Sequence, residues 1–129
     1  MPDIVKVIVW ISRIVAALIM LQTLYFKFTG AEESVYIFTE VGMEPWGRFG
    51  VGIGELIASV LILIPRTAWF GGLIAMGFMT GAIAMHLFIL GIVVFDDGGQ
   101  LFIYAIIVFL CGGYNLWIDR NKALALIKK

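Results

Sequence analysis

The chain has 129 residues, of which 62% are hydrophobic and only 14% charged, with nine basic and nine acidic side chains cancelling. A water-exposed domain of this size carries about a quarter charged residues, so the polar surface is too small to cover a soluble globule. Zero net charge and a mean hydropathy of +1.05 argue against nucleic acid as a partner and for lipid as the solvent. The length suits one domain spanning 1–129. Cys111 is the only cysteine, which excludes an internal disulfide, a paired-cysteine redox motif and a thiolate metal site.

A bilayer core of about 30 Å takes roughly 20 apolar helical residues. Four stretches qualify: Val7–Phe28, Phe49–Ile64, Ala68–Val93 and Gln100–Ile118. The second is short, so its start extends back through Arg48 to Pro45–Trp46. Each is expected to be helical, because lipid satisfies no backbone polar group. The first run is long and no small-residue cleavage site follows it, so it reads as a retained span and not a leader.

Between the first two spans, Thr29-Gly30-Ala31-Glu32 reads as a capping box opening a short helix that runs to about Val41 and ends at Gly42. Val35, Phe38 and Val41 share a face, so this helix lies on the membrane surface or caps the bundle. Pro65-Arg66-Thr67 forms a tight connection between spans two and three. Asp96-Asp97-Gly98-Gly99 turns the chain into span four. The fold class expected is all-α: a four-helix transmembrane bundle with one amphipathic helix between spans one and two.

Lys6, Arg13, Arg66, Arg120, Lys122, Lys128 and Lys129 fall on one side of that bundle, and only Lys27 and Arg48 on the other. The positive-inside rule then puts both termini in the cytoplasm. Trp10, Trp69 and Trp117 form an inner aromatic belt and Trp46 an outer one. Gly50, Gly54 and Ala58, then Gly71 with Ala75, and Gly77 with Gly81, lie at four-residue spacing. Such stripes normally let helix backbones approach; the alternative is that they leave room for a ligand. Gly112-Gly113 is a candidate kink in span four.

Ionisable groups inside a bilayer are costly and suggest function by default. Glu55 lies roughly 10 Å below the outer end of its span at 1.5 Å per residue, and His86 and Gln22 fall near the same level. Lys27, Arg48 and Gln100 ring the outer mouth, with Tyr104 one turn deeper. Arg48, Gly52, Glu55 and Ser59 share a stripe. So do Gly72, Ala75, Met79, Ala82 and His86; Gln100, Tyr104, Ile107 and Cys111; and Arg13, Ala17, Met20, Leu24 and Lys27. Facing inward, these stripes enclose an outward-opening polar pocket. In it Glu55 and His86 are the candidate catalytic proton carriers. Gln22, Lys27, Arg48, Gln100 and Tyr104 are the candidate ligand-binding residues, and Arg13 is a structural polar residue. Each also has an architectural reading: Lys27 and Arg48 as snorkelling cations, Glu55 as a partner for Lys27, Arg48 or His86, and His86 as a satisfied core histidine. Glu55 and His86 alone are too few for a metal site.

Arg13, then Lys27 within Tyr25-Phe26-Lys27-Phe28-Thr29-Gly30, then Glu55 within Gly50–Ser59 (GVGIGELIAS), Pro65-Arg66, and Gly81–His86, taken in order, resemble the DoxX and DoxX-like family of small four-span bacterial membrane proteins. The similarity covers nearly the whole chain. It implies a multi-pass protein of the bacterial cytoplasmic membrane, with Arg13, Lys27, Glu55 and His86 as family-type polar residues. Some members are linked to sulfur-compound oxidation with quinone as acceptor, others to oxidative-stress systems. The resemblance carries no agreed catalytic role. The paired cysteines of the related vitamin K epoxide reductases are missing, which argues against thiol–disulfide chemistry.

Two functional readings stand. One is a redox-associated subunit, not clearly an enzyme on its own, that binds a quinone or small sulfur species and works beside a membrane redox partner or larger complex. The other is a non-enzymatic subunit or assembly factor whose surface helix docks a partner protein. Homo-oligomers fit either. Solute transport is a weaker reading, since four spans show no inverted repeat.

Overall fold

A computed structural model describes residues 2–127; its regular structure is all helical, with no strand among the described residues. The helices are α1 (Asp3–Thr29), α2 (Glu32–Glu40), α3 (Trp46–Leu63), α4 (Ala68–Met85, continued by a π-helical turn His86–Leu90), α5 (Gln100–Ile118) and α6 (Arg120–Ile127). α1, α3, α4 with its π turn, and α5 are each long and apolar enough to cross a membrane. Lys128 and Lys129, two of the charges that set the expected orientation, lie outside the described residues.

The four spans form a ring in which each packs on its neighbours in sequence and α5 closes back on α1. The side-chain distribution is inverted relative to a soluble bundle. Large apolar residues such as Ile4, Ile11, Leu18, Ile53, Val60 and Leu110 point outward, and small ones fill the middle: Ala16, Ala17, Ala58, Ala75 and Ala105, with Met20, Ile62 and Val108. Lipid leaves no hydrophobic drive between helices, so close backbone approach holds them. A Cβ on Gly72 would lie 2.5 Å from the Gly112 carbonyl oxygen, and one on Gly71 2.5 Å from the Ile62 amide nitrogen. Gly54 is pressed by the Phe78 ring. Gly77 and Gly81 differ: nothing stands within 4 Å of their Cβ positions. That pair does not serve helix contact as the spacing suggests.

Several expectations need correction. There is no capping box at Thr29. α1 runs through Thr29, whose hydroxyl donates back to the Tyr25 carbonyl at 2.8 Å, and Gly30 ends the helix in the left-handed region at φ 69°. Helical structure in the third span stops at Leu90, short of Val93, because Gly91 leaves helical space at φ 81°. The buried stripe of α5 is Ala105, Val108, Gly112 and Asn115, about one residue round from Gln100, Tyr104, Ile107 and Cys111. α5 continues unbroken through Gly112-Gly113, which receive Gly72 and Met76.

Candidate functional site

The helices converge at the end that carries the termini and part at the other. At the terminal end α4 and α5 touch backbone to backbone at Gly72 and Gly112. Arg13, 5% exposed, donates from Nε to the Asn115 Oδ1 at 2.8 Å, and its Nη2 lies 3.4 Å from Asp119 Oδ2. Asn115, fully buried, donates in turn to the Ser12 hydroxyl and the Cys111 carbonyl, both at 2.9 Å. This network pins α1 to α5. Asn115 and Asp119 are absent from the sequence-based candidates, although an amide inside an apolar span is legible by the same rule that selects Gln22.

At the opposite end the parted helices enclose a cavity of 510 Å³, within the range of small-molecule pockets. α1 contributes Gln22 and Lys27 to its wall, α3 Glu55, α4 Gly77, Gly81 and His86, and α5 Gln100 and Tyr104. α2 covers it with Glu33, Ser34, Ile37 and Phe38. Most of the remaining wall is apolar: Ile19, Met20, Phe78, Met79, Ala82, Met85 and Val108. Gly77 and Gly81 belong to the cavity lining, and a Cβ at either would meet nothing within 4 Å.

Of the expected site residues, Arg48 is the one that does not line the cavity. Glu44 lies one turn before it and takes its guanidinium in a two-pronged bond, Nε to Oε2 at 3.0 Å and Nη2 to Oε1 at 2.8 Å. Its Nη1 donates to the Lys27 carbonyl, one of the acceptors left open where α1 ends, and the group sits over the Phe49 ring at 4.4 Å. Arg48 therefore fixes the end of α1 from which Lys27 projects.

Lys27 Nζ lies 3.0 Å from Glu55 Oε1, with the Lys27 side chain 15% exposed and that of Glu55 3%. Of the three partners open to Glu55, the structure selects Lys27. The pair is neutral as a unit, which answers the cost of placing a carboxylate at this depth. His86 begins the π turn, a feature frequent at functional sites. Its Nδ1 is 3.0 Å from the Gly91 carbonyl, which can only accept, so Nδ1 carries the proton. In the neutral ring Nε2 then holds the lone pair, and the one hydrogen bond His86 makes to the described residues is that of Nδ1. The Phe102 ring meets the imidazole edge-on at 5.6 Å. Gln100 Nε2 donates to the Tyr104 hydroxyl at 2.9 Å on the α5 wall.

At the mouth, Asp97 organises the loop. Its carboxylate accepts from the amides of Val94, Gly99 and Leu101 at 3.1, 2.8 and 3.2 Å. Desolvation pushes this carboxyl up, but the three N–H donors and the nearby His86 outweigh it and hold it below its ordinary range. Glu33, on the cavity face of α2, is pushed up by desolvation and by the Asp97 charge. The sequence marks neither as a site residue. Among the described residues no cluster of histidine, cysteine, aspartate and glutamate could hold a metal.

The DoxX-like family pattern matches residues 11–112, which covers α1 through most of α5. The chain belongs to the DoxX-like family. One relative, the uncharacterised protein YwoB of Bacillus subtilis (strain 168), is 33% identical over 79 residues, 61% of this chain and 46% of YwoB. The chain thus spans less than half the length of that curated relative. No solved structure matches it. The matched DoxX-like region contains the whole cavity wall and stops before Asn115 and Asp119.

Proposed function

We propose that this DoxX-like chain sits in the bacterial cytoplasmic membrane with both termini inside. There it binds a quinone headgroup, or a small sulfur species of similar size, in the cavity beneath α2. The observation that carries the reading is one partly open cavity bordered by an ion pair, an imidazole nitrogen free to accept and a mainly apolar wall. Apolar pockets with a few convergent polar groups are the usual form of a small-ligand site. The orientation rests on Lys6, Arg13, Arg66, Arg120 and Lys122 at the terminal end. The opposite end has Lys27 and Arg48, each paired with a carboxylate of the chain.

The residues present fit a quinone. Lys27 Nζ offers hydrogens to a carbonyl oxygen, His86 Nε2 can take or return a proton, and the mainly apolar remainder of the wall suits a ring. A bound quinone supplies two-electron, two-proton chemistry, with the electrons exchanged by a partner redox protein. The chain's part is to orient and to manage protons. Glu55 holds Lys27 in place and offers a second carboxylate acceptor on the same wall. The chain acts as an oxidoreductase-associated subunit.

The test is organic extraction of the full chain, purified from its native membrane in mild detergent, followed by mass spectrometry for quinones and sulfur compounds. A stoichiometric quinone is expected, with occupancy falling about tenfold in Glu55→Gln as a charge-assisted contact is lost. Full retention in a Glu55→Ala, His86→Ala double variant would overturn the assignment. A purified chain without quinone but tightly bound to a larger protein complex would favour the assembly-factor reading. A C-terminal reporter active only in the periplasm would reverse the orientation.

A further inference from the structure

A second, smaller cavity of 190 Å³ lies at the other end of the bundle, lined by Lys6, Trp10, Arg13, Asp119 and Lys122 among others. Water fills about 30 Å³ per molecule in the liquid, so the space suits one phosphate-sized group. Three cations and one acid border it. Arg13 is 5% exposed and uses Nε on Asn115 and Nη2 on Asp119, and Nη1 has no acceptor among the described residues. The Asp119 contacts are long, 3.4 Å to Arg13 and 3.8 Å to Lys122. Asp119 therefore leaves both cations incompletely neutralised. Trp10 stacks on the guanidinium at 5.0 Å, presenting the amphipathic ring that settles at a lipid–water boundary.

We infer that this cavity binds the phosphate of an anionic ligand, with the Arg13 guanidinium at its floor and Lys6 and Lys122 at its rim. The site stands apart from the cavity beneath α2 and needs no quinone. Arg13 is preset by Asn115, so its free N–H groups meet an oxyanion without reorganisation, and planar guanidinium matches phosphate geometry. The rim lysines are long and exposed, Lys122 at 51%; Lys122 donates to the Pro65 carbonyl at 3.2 Å and keeps two further N–H groups for the anion. A phospholipid headgroup at the membrane boundary and free phosphate share this chemistry.

The full chain is exposed in detergent to equimolar phosphatidylglycerol and phosphatidylcholine, and the retained lipid is read by native mass spectrometry. A second arm measures thermal stability with inorganic phosphate against chloride at equal ionic strength. Wild type is expected to prefer phosphatidylglycerol, and a Lys6→Gln, Lys122→Gln variant to lose that preference about thirtyfold, from two juxtamembrane lysines. Both lysines are exposed enough for the variant to fold, which its unfolding midpoint would check. Lipid preference without stabilisation by phosphate assigns a lipid headgroup; stabilisation by phosphate, lost in the variant, assigns the free ion. Equal lipid ratios in wild type and variant, with no effect of phosphate on either, would overturn the site.

Discussion

The two ends of this bundle use similar side chains to opposite effect. At the terminal end a buried arginine, an asparagine and an aspartate draw α1 onto α5, and glycines on α4 and α5 touch. At the other end a lysine–glutamate pair and a histidine stand on the wall of an open cavity, and two glycines on α4 face empty space. Neither a charge nor a glycine in a membrane span has a fixed meaning. For the glycines, what decides is whether a neighbouring backbone stands against them.

Removing one charge at each end should separate the two ends most strongly. Arg13→Ala leaves the fully buried Asn115 Oδ1 without its donor and takes from Asp119 the nearer of its two cations, and should cost about 3 kcal/mol. Glu55→Gln keeps its volume, and water in the cavity can reach Lys27, so its cost should be only about 1 kcal/mol. Reversible unfolding of both variants in mixed micelles measures the pair. Equal losses would mean that the Lys27–Glu55 pair is as architectural as the Arg13 network.

A smaller contrast uses glycine alone. Gly72→Ala drives a methyl group against the Gly112 backbone, which cannot move aside as a side chain would, and should cost about 2 kcal/mol. Gly77→Ala meets nothing within 4 Å and should stay within about 0.5 kcal/mol of wild type. On the cavity side, Gly81→Leu adds bulk at a residue of the wall where a Cβ meets nothing within 4 Å. It should fold normally and weaken the retention of any co-purifying ligand, read by the same extraction. Unchanged retention would count against this cavity as the ligand's place.

The four spans were legible because hydropathy alone specifies them, and the end of α5 at Ile118 follows from its flanking charges. The facing of α5 was not. In lipid both sides of a helix are apolar, so an outward Ile103 and an inward Val108 look alike in sequence. Asn115 and Gly112 carry the phase, and only the polar one is conspicuous. The cavity was legible as a level at which Gln22, Glu55 and His86 coincide, but the partner of Glu55 was not. Arg48 was an equal candidate until its own Glu44, four residues earlier, is seen to hold it. Thr29-Gly30-Ala31-Glu32 misled because the same residues also suit a helix that ends at glycine, and α1 had enough apolar surface to continue that far.

The smallest effect concerns the mouth, where Glu33 on α2 faces Asp97 on the loop. Desolvation and the Asp97 charge raise the Glu33 carboxyl above its ordinary 4.5, so its charged form opposes the seating of α2. That penalty is present at neutral pH and is relieved as pH falls through the raised value. Asp97 behaves oppositely: its carboxyl is held below 3.8, so the loop bonds it makes are favoured above that range and lost only as pH falls through the lowered value. Acidification from neutrality should therefore first tighten α2 and only later release the loop. Amide exchange, expressed as protection factors to remove its intrinsic pH dependence, reads both steps: on Val35 and Phe38 for the first, on Gly99 and Leu101 for the second. Glu33→Gln should remove the first step and leave the second, and Asp97→Asn should weaken loop protection at every pH. A single transition shared by all four amides would show that α2 and the loop move as one body, and the mouth would then be no more separable than the closed end.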